Sequence, residues 1–577
     1  MKNGFLCAVA ALLLLSACGP KDGTYSLHVL STNDVHGSWF DSTYVGGGTR
    51  GSLMAVQYYA DSVRAAVGSD HVLLLDAGDC LQGDNAAYYY NYVDTLSEHL
   101  YVRLAAWMKY DAVAVGNHDI ETGHGVYDRV AAQLKRRGIA FLAGNALKVG
   151  SDKPYFPAYT VLRRGGLKVL VLGYTNANMK AWLDERIWSG MDFVSLLPKV
   201  QEDVDRLTAR LHPQVVVVAV HSGTGKGDGS ILESQGLDLF KSLRGVDLLL
   251  CSHDHRPFVA QSDSLCLINS GSHARNLGHG CVTLEIKGGK VVSRHLEAGL
   301  IPVRKDKADP KMRAAFAADF AAVKAFTLRD VGVLTVDLRT RDAYAGMSPY
   351  IDLVHTVQLL SSGAQVSFAA PLTYNGRVAA GTLLYNDMFT IYPFENQLCR
   401  IRMSGREIRN YLEYSYDQWI RDPRDGGHIF RIVPRDDPRT GQRRWSFTAR
   451  SYNFDSAGGL NYTVDVTQPF GSRVQITSLA GGSPFSEEAE YSVAVTSYRA
   501  NGGGGLLLNG AGLDSETVAA RTEARFPEIR ELVYDFVQKN GVIGPELFSD
   551  PAVLGRWRFV PEALCARALR ADMDLLF

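Results

Sequence analysis

The most restrictive feature of this chain is residues 215–220, six apolar residues in a row, five of them valine. β-Branched side chains favour extended backbone, and successive strand residues point to opposite faces. An uninterrupted apolar run therefore needs cover on both sides, as a central parallel strand receives in an α/β fold. The run stops at His221-Ser222-Gly223. In open α/β sheets ligands sit beyond the carboxyl ends of the strands, so His221 is placed for chemistry. The glycines leading to Lys226 suggest a P-loop only superficially. Val220 takes the first glycine position of that motif, and Gly227 follows the lysine where Ser or Thr is needed.

The same design recurs. Residues 27–30 read as a strand that opens into Asp34-Val35-His36-Gly37. Residues i and i+2 of extended backbone share a side, so Asp34 and His36 project together. Residues 72–75 are followed by Asp76-Ala77-Gly78-Asp79, whose last carboxylate could bridge two cations. Residues 112–115 end in Gly116-Asn117-His118-Asp119. Residues 246–250 end in Cys251-Ser252-His253-Asp254-His255, a His-x-His pair. Helices are expected over 53–67, 98–109 and 126–137, with further strands at 140–144 and 169–173. With His118 kept for acid–base chemistry near neutral pH, seven donors remain: Asp34, His36, Asp79, Asn117, His221, His253 and His255. That is too many for one ion. It suits two divalent ions about 3.5–4 Å apart with a shared carboxylate, zinc or manganese by donor type.

The 577 residues carry a net charge of −1, which argues against a nucleic-acid polymer as partner but leaves room for a small anion at one site. Residues 1–18 read as a targeting segment, with Lys2 ahead of an apolar run too short to span a bilayer. Leu15-Ser16-Ala17-Cys18 resembles the bacterial lipobox, which implies export and lipidation of Cys18 as the only membrane attachment, periplasmic or at the cell surface. Residues 19–24 then read as a tether. The remaining cysteines show no staple or zinc-knuckle spacing and read as buried thiols, with Cys251 and Cys266 the pair to check.

Taken together, Asn33-Asp34-Val35-His36-Gly37, Gly78-Asp79, Gly116-Asn117-His118-Asp119, His221 and His253-Asp254-His255 resemble the calcineurin-like metallophosphoesterases. The best match is the exported branch of 5′-nucleotidases and 2′,3′-cyclic-nucleotide phosphodiesterases. The resemblance implies a β-sandwich flanked by helices over residues 25–303. It implies one metal on Asp34, His36, Asp79 and His255, and a second on Asp79, Asn117, His221 and His253. His118 resembles the family histidine that stabilises the transition state or protonates the leaving oxygen. Its acidic partner stands three positions on, at Glu121, where the family generally has Asp; Asp119 is the rival. Ser252 stands where the family usually has glycine.

Residues 304–330, rich in Ala and Lys with Asp309-Pro310 as a start, read as a linker helix. Residues 331–577 read as an α+β domain, with a helix over 406–420 and an exposed polar loop over 426–444. By spacing alone its aromatics and glycines read as core and turns. Resemblance to the nucleotide-specificity domain of the same enzymes places Phe394 and Tyr498 as a base sandwich and Asn396 at the base edge. An aspartate common in 5′-nucleotidases is here Gly504, and stretches such as Tyr452-Asn453-Phe454-Asp455 and Ser497-Tyr498-Arg499-Ala500 look closer to the 2′,3′-cyclic-nucleotide 2′-phosphodiesterase/3′-nucleotidase subgroup. The implied function is a two-metal phosphohydrolase acting on small nucleotides. The competing classes are another phospho- or sulfur-ester hydrolase on the same scaffold and a non-catalytic surface nucleotide-binding protein.

Overall fold

The computed structural model describes residues 20–183, 185–394, 396–436 and 442–577; Cys18 and the rest of the targeting segment lie outside them. The chain divides into two compact units, the first ending at Lys324 and the second beginning at Ala325.

The first unit holds two six-stranded sheets. One contains, as neighbours, Gly23–Thr32, Val72–Asp76, Ala112–Ala114 and Ala140–Leu142, all mutually parallel. The other contains Leu167–Tyr174, Val215–Val220, Leu248–Cys251 and Cys266–Asn269, again parallel. Alternation sorts the side chains. Leu27, Val29, Leu73 and Leu75 meet Val215, Val217, Leu248 and Leu250 between the sheets. Val216, Val218 and Val220 face away from that core, into another built with the helix Leu196–Leu211. Leu30, Leu74 and Val113 pack outward against the helices Leu53–Val67, Leu100–Met108 and His124–Arg136. Each face of the valine run is thus buried for its own reason, which accounts for the lack of alternation in the sequence.

Three expectations need correction here. Residues 23 and 24 are not tether but the start of a strand, with Gly23 opposite Ile286. The single linker helix over 304–330 is two helices, Pro310–Ala315 and Ala317–Thr327, broken at Phe316. Met312, Phe316 and Val323 enter the core of the first unit, and Asp319 binds Arg103 through both carboxylate oxygens. The segment packs on the first unit as far as Lys324, where the boundary between the units falls. Within 426–444, Ile432–Asp436 forms a hairpin strand with Arg443–Phe447, because Ile432 and Phe447 are buried apolar ends of an otherwise polar stretch.

Cys251 and Cys266 are free thiols. They sit on adjacent strands but pack into different cores on opposite faces of the sheet. Among the described residues no helix is long and apolar enough to cross a membrane.

The second unit is α+β. Its five-stranded sheet runs Ser456–Gly458, Val366–Ala369, Glu490–Thr496, Gln397–Ser404, Thr522–Glu528. The amphipathic helix Gly405–Asp417 packs into its aromatic core, and a second helix, Pro349–Ser362, is itself buried.

Candidate metal centre and aromatic surface

Parallel strands bring their carboxyl ends to one rim, and the loops beyond them converge. Asp34 N–H donates to Gly78 O (2.9 Å) and His36 N–H to Asp79 O (3.0 Å). His221 Nδ1 lies 2.8 Å from Ala77 O, which links the two sheets. Five of the seven predicted donors sit in left-handed backbone: Asp34, His36, Asp79, His253 and His255, with φ between 47° and 69°. Asp and His tolerate that conformation better than most L residues, though it still costs energy and persists where the surroundings impose it.

The donors form two groups, Asp34 with His36 and His255, and Asp79 with His221 and His253, each with ligand atoms within 4.8 Å of one another. In the first, His36 Nε2 lies 2.9 Å from His255 Nε2, and Asp34 Oδ1 is 3.5 Å from His255 Nε2. In the second, Asn117 Oδ1 is 3.0 Å from both His221 Nε2 and His253 Nδ1. Asp79 Oδ2 faces both groups, 3.1 Å from His221 Nε2 and 4.0 Å from His36 Nε2. All seven predicted donors are therefore together.

Electrostatics fit divalent cations. Burial pushes the Asp34 carboxyl up to about 8, against the pull of His221. Burial acts the same way on Asp79, but His221, His118 and His36 outweigh it and hold that carboxyl well below its usual range. Burial lowers His253 to about 3 and His255 to about 4, leaving neutral imidazoles with free lone pairs. His221 moves the other way: against its burial, Asp79 prevails and raises it to about 9. With the protons of His221 and Asp34 displaced on metal binding, two carboxylates, a carbonyl oxygen and imidazoles form a donor set suited to divalent ions.

The neighbouring groups have distinct tasks. His118 N–H donates to Asp79 Oδ1 (2.8 Å), and its ring Nδ1 lies 2.6 Å from Glu121 Oε2. Its side chain is 35% exposed, so it reaches the open face. Asp119, the rival acid, is fully buried and accepts from the N–H groups of Asp79, Cys80, Leu81 and Gly116 at 2.8–3.0 Å. It has no path to a substrate, and Glu121 is the partner of His118. Ser252 adds a hydroxyl 3.0 Å from His221 Nδ1, so the departure from glycine gives that ring a second holder. Sequence reasoning missed two residues. Trp182 stacks on His253 with ring centroids 5.1 Å apart. His273 lies beside His36 and His255, with ring centroids 5.5 and 6.2 Å away. The cue for His273 was its place just after the buried strand Cys266–Asn269, which was not itself foreseen.

In the second unit Phe394 and Tyr498 are about 40% exposed. Tyr452 meets both edge-on, at 6.2 and 6.4 Å between centroids. Asn396 is half-buried, and its carbonyl accepts from Ile529 N–H (3.0 Å). Behind the rings, buried Arg499 grips Asp455 through two bonds of 2.9 and 2.7 Å and also binds Tyr452 O, Asn453 Oδ1 and Gly503 O. One guanidinium thus ties residues 452–455 to the loop at Gly503. A Cβ on Gly504 would meet Asn453 Oδ1 at 2.5 Å and Arg499 Nη1 at 2.6 Å, in left-handed backbone. This arrangement leaves no room for an aspartate.

Residues 27–257 match the calcineurin-like phosphoesterase family, and residues 330–509 match the 5′-nucleotidase C-terminal domain. The 2′,3′-cyclic-nucleotide 2′-phosphodiesterase/3′-nucleotidase of Haemophilus influenzae is 23% identical, covering 96% of this chain and 90% of that protein. The trifunctional nucleotide phosphoesterase YfkN of Bacillus subtilis is 23% identical over 90% of this chain, which spans only 38% of its length. The crystal structure of a putative 5′-nucleotidase from Staphylococcus aureus superimposes with a TM-score of 0.74 at 19% identity, covering 92% of this chain and 99% of that one. The superfamily implies divalent metal ions, for which the two donor groups are suited. The chain belongs to the nucleotidase and cyclic-phosphodiesterase family of metallophosphoesterases, hydrolases in which a calcineurin-like domain is followed by a 5′-nucleotidase C-terminal domain.

Proposed function

We propose that this chain is an exported phosphohydrolase of small nucleotides that favours 2′,3′-cyclic nucleotides and 3′-nucleotides. The observation that carries the reading is Asp79, a buried carboxylate facing two donor groups at one strand rim. Asp34, His36, Asp79 and His255 would hold one ion and Asp79, Asn117, His221 and His253 the other, zinc or manganese, and bound ions would supply Lewis acidity toward the phosphoryl oxygens. The chain's own chemistry centres on His118. Glu121 accepts from Nδ1–H and fixes the ring plane, and when the ring is protonated its Nε2–H can deliver a hydrogen bond or proton to the leaving oxygen. Tyr452 joins Phe394 and Tyr498 in one aromatic set suited to stacking a nucleobase, which tolerates different bases.

Support for the phosphate position comes from the name borne by the Haemophilus relative and from the crowded Gly504, where 5′-nucleotidases often carry aspartate. The deciding experiment is kcat/KM on 2′,3′-cyclic AMP, 3′-AMP and 5′-AMP with the metal-loaded full chain. A clear preference for 5′-AMP overturns the positional reading. Turnover of none of the three, with hydrolysis of a sulfur ester or another phosphoester, overturns the nucleotide reading. Export rests on Leu15-Ser16-Ala17-Cys18. Cys18→Ser should move the protein out of the membrane fraction, and unchanged partitioning would refute the anchor.

A further inference from the structure

His273 belongs to none of the predicted donors, yet the fold confines it as tightly. Its φ is 54°, and Ala274 follows at 52°, two successive left-handed residues without a glycine. The His273 N–H donates to Asp34 O (2.9 Å), so its position is tied to a candidate ligand. Gly51 packs against the same turn: a Cβ there would stand 2.9 Å from His273 O and 3.3 Å from Ala274 O. Strained backbone that neighbours enforce is a mark of a positioned side chain. The ring lies tilted beside His36 and edge-on to His255, the two imidazoles of the first donor group. Its Nδ1 sits 3.3 Å from Ser38 Oγ. With the Ser38 hydroxyl donating to Nδ1, the ring proton is carried on Nε2, which makes that nitrogen a hydrogen-bond donor beside the first group.

We propose that His273 is a substrate-contacting residue that recognises the extra anionic oxygen of a phosphate monoester. A monoester dianion presents three non-bridging oxygens, and a diester only two with a single charge. A neutral donor placed next to the first donor group adds a contact that the monoester and inorganic phosphate can use and the diester lacks. This rests on the phosphohydrolase reading above, and it divides a two-stage reaction: opening a cyclic diester would depend little on His273, and cleaving the resulting monoester would depend on it strongly.

The test uses His273→Asn, since Asn accepts left-handed backbone, with His273→Gln as a second variant that keeps a donor on a longer stem. Metal content is measured first, then the affinity of the metal-loaded proteins for inorganic phosphate by calorimetry, then kcat/KM on p-nitrophenyl phosphate and bis(p-nitrophenyl) phosphate. A hydrogen bond to a charged oxygen predicts that His273→Asn loses about 10–100-fold in phosphate affinity and in monoester kcat/KM, with diester turnover within about 2-fold. His273→Gln should recover part of the loss. Loss of metal, equal loss on both esters, or unchanged phosphate affinity overturns the proposal. A wild-type protein that binds phosphate but cleaves neither ester would refute the hydrolase reading while leaving the phosphate-affinity comparison to judge His273.

Discussion

The two units present their candidate chemistry in opposite ways. In the first, most of the donors are buried, with His255 the exposed one, five of the seven sit on left-handed backbone, and the loops that carry them are locked by backbone groups such as the four N–H donors on Asp119. In the second, Phe394, Tyr452 and Tyr498 form an open surface, and the rigid part lies behind it in the Arg499–Asp455 fork. The contrast has a physical origin. Ions require donor atoms fixed at set distances and poor access for competing water. A stacked base requires only flat apolar area at a steady height. Changes in the first unit should therefore be all-or-none, and changes on the surface of the second should be graded.

The largest expected effect is at the bridge. Asp79→Asn removes the charge that faces both donor groups and should reduce turnover to background. Gly116→Ala should do nearly the same without touching a donor, because its Cβ would overlap the Asp79 carboxylate and backbone nitrogen. Metal content and kcat would be measured together. Two equivalents of tightly held metal with near-normal kcat in either variant would break the contrast, since the centre would then be as tolerant as the aromatic surface.

His118 tests whether one group near the centre can be lost without the rest. His118→Ala should lower kcat by about 10²–10⁴-fold with KM and metal content little changed. Glu121→Gln should lose less, because it weakens the holder of the ring rather than the ring itself. A His118→Ala defect explained wholly by metal loss would make His118 a ligand and the mechanism above wrong.

The same contrast explains what could be read from sequence. A strand followed by a donor recurs at five places, and a buried parallel strand leaves an unmistakable apolar run, so Asp34 to His255 were legible as a set. Asp119 was not separable from Glu121, because adjacency in sequence hides that one carboxylate turns inward to four N–H groups and the other toward Nδ1 of His118. His273 and Trp182 were missed for a related reason. They reach the centre from segments with no donor motif, and only tertiary packing brings them there. In the second unit, the stretch around Tyr452 was singled out in the sequence, but only its ring contacts joined Tyr452 to Phe394 and Tyr498. The break at Phe316 in the linker segment was not legible because helix propensity says nothing about which face is buried, and Met312, Phe316 and Val323 decided that.

A graded effect is expected from Tyr498→Ala. Base stacking is worth about 1–3 kcal/mol per base, so nucleotide kcat/KM should fall by roughly 5–150-fold. p-Nitrophenyl phosphate, which lacks a nucleobase, should be affected much less. Equal losses on both substrates would show that Tyr498 supports the fold rather than the ligand. By contrast Arg499→Lys should destabilise the second unit, since a lysine cannot replace a two-bond grip on Asp455 together with three further acceptors.

The smallest effect concerns acid. His355 is fully buried between Ser367 Oγ (3.0 Å) and Ser456 Oγ (3.2 Å), and burial lowers it from 6.5 to about 3. The folded state therefore stays neutral where the unfolded state takes up a proton. Its stabilising contribution is complete above pH 6.5 and declines as pH falls from 6.5 toward 3, by about 1.4 kcal/mol per pH unit at most. This loss should not depend on metal. The first unit has a similar component from buried His99, also near 3, but its ligand histidines and carboxylates release protons when they bind ions, so its acid sensitivity should shift with zinc concentration. Hydrogen exchange, corrected for intrinsic rates, can follow the helix Pro349–Ser362 and the strand Val72–Asp76 from pH 7 to 5 at low and high zinc. Protection of the helix should fall with pH equally at both zinc levels, and His355→Gln should flatten that slope. Helix protection that tracks zinc would mean that the second unit also depends on the metal centre, and the contrast between the units would fail.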